Sequence, residues 1–143
     1  MGLVRRYWKS RLAGLALVGL SPGCGEELGP VRFPTTRVTG VVREGERPVG
    51  GGWIEFQPVD GTVGNLRSAP IRHDGSFEAD RVAVGTHQVG LVVPAPVGSP
   101  LTRRFAPQRS PIRRAISAGP ATTLTIDLIR EAIHHPPAPP SNP

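Results

Sequence analysis

From Arg37 onward, apolar and polar residues change places at every second position. In RVTGVV, Val38, Gly40 and Val42 alternate with Arg37, Thr39 and Val41. Successive strand side chains point to opposite faces, so this period marks a half-buried strand. WIEFQP places Ile54 and Phe56 on one face and Trp53, Glu55 and Gln57 on the other. Ser68–Arg72 and Ser76–Asp80 flank Asp74-Gly75, a pair suited to the positive φ of a two-residue hairpin turn. In THQVGLVV, His87, Val89 and Leu91 share a face, and TTLTIDLI (Thr122–Ile129) closes the series with Leu124, Ile126 and Leu128 inward. No stretch from Arg37 onward keeps a helical period for the ~12 residues an ordinary helix needs. Six or seven short strands separated by turn residues predict an all-β sandwich.

Three segments fall outside this pattern. Residues 24–36 contain Gly29, Pro30 and Pro34 and read as a tether. Residues 94–120 carry Pro94, Pro96, Pro100, Pro107, Pro111 and Pro120, and predict a long functional or mobile loop within a sandwich spanning 37–130. One more edge strand fits around Arg113–Ser117. Residues 131–143, ending in HHPPAPPSNP, read as a disordered Pro-rich tail.

The N-terminus has a different logic. Arg5, Arg6, Lys9 and Arg11 precede the nine-residue apolar run LAGLALVGL (Leu12–Leu20), and Ser21-Pro22-Gly23 follows. Nine residues cannot span ~30 Å of hydrocarbon as a helix, but the order of cations, apolar run and small residues is that of a signal peptide over 1–23. The chain's single cysteine, Cys24, comes next. Gly23-Cys24 resembles the lipobox of bacterial lipoprotein precursors, which implies lipidation of Cys24 and a membrane anchor. Ser21 stands where that family usually has Leu, and Ser21-x-Gly23 also suits an ordinary signal peptidase that would leave Cys24 a free thiol. Arg5-Arg6 also permits twin-arginine export. Each route predicts an exported protein; the first places it on the periplasmic or outer face of a membrane.

Composition narrows the picture. Glycine (18) and proline (17) make up about a quarter of the 143 residues, which disfavours a helical bundle. One cysteine excludes a disulfide framework and a cysteine-based zinc cluster. The +6 net charge invites a nucleic-acid reading, but without the first 23 residues 13 basic and 11 acidic residues leave only +2. The close pairs Arg103-Arg104 and Arg113-Arg114 have only Phe105 nearby to stack on a base, so no nucleic-acid partner is expected.

Candidate catalytic chemistry is sparse. Asp74 has a turn role, and His73 beside it has no second ligand at metal spacing. His87 fits a core slot, and His134-His135 lie in the tail. No G-x-S-x-G is present, and Gly50-Gly51-Gly52 leads into a strand rather than a phosphate-holding helix. Asp60, Asp74 and Asp80 match no calcium loop. Neither a catalytic residue nor a cofactor or metal site is expected.

VTGVVREGERPVGGGWIEFQPVDG followed by IRHDGSFEADRVAVGTHQVGLV resembles the carboxypeptidase-regulatory-like, or transthyretin-like, domain of short lipoproteins from planctomycete-type bacteria. Val38, Gly40, Val42, Gly45 and Pro48 match its first strand and turn. Ile54, Phe56 and Pro58 match its V-x-F-x-P strand, Asp74, Gly75 and Phe77 its D-G-x-F hairpin, and Gly85 and Val89 its G-x-Y-x-V strand. His87 stands where the family usually has Tyr. The likeness covers 37–129 and implies a seven-stranded Greek-key sandwich with a non-catalytic accessory role in the cell envelope. Three functions stay open: a membrane-anchored binding domain, a structural module acting through its Pro-rich tail and Arg-rich loop, and a small hydrolase. For the first, Trp53 on the outward face, with Arg103, Arg104, Arg113 and Arg114, are the candidate contacts to a protein or carbohydrate partner.

Overall fold

A computed structural model describes residues 32–137. The signal segment, Cys24 and the tether as far as residue 31 lie outside the described residues, as do residues 138–143.

The fold is all-β, with two sheets enclosing one core. β1 (Thr35–Glu44) is the centre of the first sheet: antiparallel to β5 (Ser76–Ala83), parallel to β8 (Ala121–Asp127), and joined to the two-residue β2 (Arg47–Pro48) by a tight turn. The second sheet is antiparallel in the order β4 (Arg67–Pro70), β3 (Trp53–Pro58), β6 (Gly85–Val92), β7 (Arg113–Ile116). Two short helices complete it, α1 (Pro100–Arg104) and α2 (Leu128–His134).

The period-two reading selects the correct faces. Val38, Val42, Ile54, Phe56, Phe77, His87, Val89, Leu91 and Ile126 are buried, whereas Trp53 is 49% exposed. Phe56 and Phe77 meet across the sheets with ring centroids 6.0 Å apart, and the His87 ring stands edge-on to Phe56 at 6.4 Å. Aromatic pairs prefer such tilted geometries.

Four expectations need correction. Thr35 and Thr36 belong to β1 rather than to a tether: Thr36 is buried and its Oγ1 donates to Gly119 O at 2.7 Å. Asp74-Gly75 does not join two strands of one sheet. Gly75 N donates to Arg72 O and Arg72 N to Ser76 O, so the turn spans three residues, His73–Gly75, and carries the chain from the second sheet to the first. Gly75 takes φ of +82°, which only glycine adopts cheaply.

The 94–120 segment is a packed part of the domain. Ser99 caps α1 by accepting from Thr102 N at 3.1 Å, and Pro100 occupies the first turn, where no N–H is required. Phe105 and Ile112 are fully buried, and their carbonyls accept from Leu91 N (2.8 Å) and Val89 N (3.0 Å), extending the edge of β6. The anticipated edge strand at 113–117 is β7.

The chain after β8 is also ordered further than its prolines suggest. Asp127 ends the strand and caps α2, its Oδ1 accepting from Ile129 N at 3.2 Å. Leu128 is therefore buried as a helix residue, and residues 131–134, read as tail, form the rest of α2. Among the described residues no helix is long and apolar enough to cross a membrane.

Candidate binding surface

Antiparallel register lines up side chains from three strands. Trp53 on β3 pairs with Pro70 on β4 and Val92 on β6, and all three are exposed, so the outer face of the second sheet begins with an apolar row. The next rows are polar: Ser68, Glu55 and Gly90, then Gln57 and Gln88. Trp53 and Val92 (42% exposed) are placed side by side by the backbone register of β3 and β6.

Gly90 decides what stands beside this row. A Cβ there would lie 2.4 Å from Pro107 Cα, so the absent side chain lets the 106–110 segment lie on the outer face of β6. Gln88 Nε2 donates to Ser110 O at 2.5 Å, fixing the segment from below. Between this segment and the end of β6 runs a groove of about 530 Å³, lined by Val92, Val93, Arg103, Pro107, Gln108 and Arg109 among others. Two arginines and the apolar Val92 and Val93 share its lining, so it opens directly beside the Trp53 row.

The four arginines expected to make contacts divide into two pairs. Arg103 and Arg113 are exposed. Arg104 and Arg114 are half-buried and turned toward α2: Arg104 donates to His135 O, and Arg114 forms an ion pair with Glu131. Two arginines of the expected contact surface thus hold the domain's own last helix. The sequence signal was incomplete because Glu131 lay in a segment read as tail.

A second, polar cleft of about 380 Å³ lies beside α2, lined by Arg43, Arg114, Asp127, Arg130, Glu131 and His135 with two others. Its carboxylates are already committed. Asp127 faces Arg43 Nε at 3.3 Å, close enough for charge attraction but misaligned for a hydrogen bond, and Arg130 at 3.8 Å. Glu131 is shared between Arg114 and His135.

Asp74 and His87 are engaged within the fold. Asp74 accepts from Ser76 Oγ (2.7 Å) and Ser76 N (2.9 Å); the hydroxyl bond chiefly, then the backbone bond, holds its pKa below the ordinary value. His87 is fully buried; its Nδ1 meets Gly85 O at 3.2 Å and its Nε2 has no partner. Burial pushes its pKa down, against a smaller upward effect of the Gly85 carbonyl. Among the described residues no three His, Cys, Asp or Glu side chains gather at metal-binding distance. Neither protein-family models nor curated proteins gave a match to this chain.

Proposed function

We propose that the chain is an exported, lipid-anchored, non-catalytic binding domain of the cell envelope, built on a transthyretin-like seven-stranded Greek-key sandwich and attached through Cys24. The observation that carries the binding role is the exposed row Pro70–Trp53–Val92 opening into the groove beside Arg103 and Arg109. A flat apolar platform with a polar rim is how recognition surfaces are commonly built, because aromatic area is gained at little conformational cost. Such a surface suits a protein or carbohydrate partner in the envelope. The fold assignment is supported by the burial of the matched positions Val38, Val42, Ile54, Phe56, Phe77 and Val89.

A photo-cross-linking residue at position 53 tests this in the native host. Position 53 should form discrete adducts, and position 78, exposed on the outer face of the opposite sheet, should not. Equal yields from both positions would overturn the proposal.

A further inference from the structure

The charge of the described region is unevenly divided. Residues 32–102 contain seven arginines and seven carboxylates and are neutral, whereas residues 103–137 contain six arginines, two carboxylates and both His134 and His135. The whole surplus of +4 therefore belongs to α1, the segment after it, β7 and α2. Arg104, Arg109, His134 and His135 line one cleft of about 490 Å³; His134 and His135 also line the cleft that holds Arg43, Arg114 and Arg130. Among the described residues Arg103, Arg104 and Arg109 lie beyond 4 Å of every carboxylate, and ion pairs engage both carboxylates of residues 103–137, Asp127 and Glu131.

The helix at this end shows an unusual outer face. α2 buries Leu128 and Glu131 and leaves Ile129 45% and Ile133 72% exposed. Those two stand four residues apart, one above the other on a single helix face. Arg130 and His134 follow each in sequence, and Arg130 is itself exposed. Ile129 Cδ1 lies against Gly45, between Glu44 and the exposed Glu46, so Ile133, flanked by His134 and one turn from Arg130, is the part of this face that suits a surface apolar inside and anionic at its edge.

We infer that the α2 end of the domain docks on an anionic lipid bilayer, Ile133 entering the acyl boundary and the arginines meeting the phosphate headgroups. An acidic polymer would satisfy the arginines but leave Ile133 in water, so charge complementarity and exposed apolar area together favour the bilayer. The inference goes beyond the proposed binding role and does not require acylation of Cys24. Docking this end would hold the sandwich against the membrane by its own surface.

The test uses the full chain carrying Cys24→Ser, so that no thiol or acyl chain remains at that position. His134→Cys, or separately Asn65→Cys, receives an environment-sensitive fluorophore. Asn65 is exposed at the far end of the sandwich: Gly64 abuts Ala83, the partner of Thr35 at the start of β1, whereas Asp127 pairs with Arg43 near the finish of β1. With vesicles of phosphatidylglycerol and phosphatidylcholine, the probe at 134 should shift to the blue and the probe at 65 should not. The shift should fall away at 1 M salt and in pure phosphatidylcholine. Arg130→Gln should weaken partitioning about fivefold, the loss of one surface charge, and Ile133→Asp should reduce the shift at 134. No shift at 134, equal shifts at 134 and 65, or a response to soluble polyglutamate but not to vesicles would overturn the inference. Failure here leaves the Trp53 adducts unaffected, so the two readings fail separately.

Discussion

Phe56 and Trp53 lie on one strand, and the pleat alone separates their roles. Phe56 is fully enclosed between Phe77 and His87, so Phe56→Ala should cost ~3–5 kcal/mol, the cost of deleting a buried aromatic and leaving a cavity. Trp53→Ala should cost far less, because half of its surface is already in water. Urea denaturation of both variants checks this, and equal destabilisation would contradict the register. His87 adds a pH dependence. Its folded pKa lies below the unfolded value of about 6.5, so between the two the unfolded chain binds more protons. Stability should be full above pH ~6.5 and decline as pH falls through that value, by at most about 1.4 kcal/mol per pH unit, until the folded pKa is passed. His87→Phe should flatten this part of a stability-versus-pH curve while changing neutral-pH stability by less than ~1.5 kcal/mol.

Between elements, contacts distant in the chain decide the result. The segment after α1 lies on β6 because Gly90 offers no side chain, Gln88 supplies a bond from beneath, and Phe105 and Ile112 enter the core on either side. Gly90→Val would force Pro107 away from β6. Overpacking of this kind costs ~1–3 kcal/mol, and amides after Phe105 should lose hydrogen-exchange protection before those of β3. Unchanged protection there would show that the segment is held by Phe105 and Ile112 alone. α2 depends on the same kind of contact: Asp127 caps it, and Arg104 and Arg114 reach it from elements more than a dozen residues earlier.

At the scale of the molecule, the neutral and cationic parts of the described region perform different tasks. Residues 32–92, which supply six of the eight strands, balance their charges, and the surplus of arginine lies in the later segments. The proposed anchor belongs to this scale as well. Cys24→Ser should abolish incorporation of labelled palmitate, because the chain has no other cysteine. Mass spectrometry of the mature N-terminus distinguishes an acylated cysteine from a free thiol; palmitate entering the variant, or never entering the wild type, would remove the anchor from the proposal.

Alternation by itself determined which faces of β1, β3 and β6 are buried, since a period of two leaves little freedom once one face must leave water. It placed Trp53 outside and His87 inside. Tertiary structure alone decided the status of isolated apolar residues among prolines and arginines. Phe105 and Ile112 have no periodic neighbours to reveal them, and their burial follows from the unpaired edge of β6 that their carbonyls complete. It also decided that α2 exists, because seven residues carry too weak a helical signal to outweigh the prolines that follow. Strand periodicity is local and readable along the chain; which arginine meets which carboxylate depends on the path of the backbone between them.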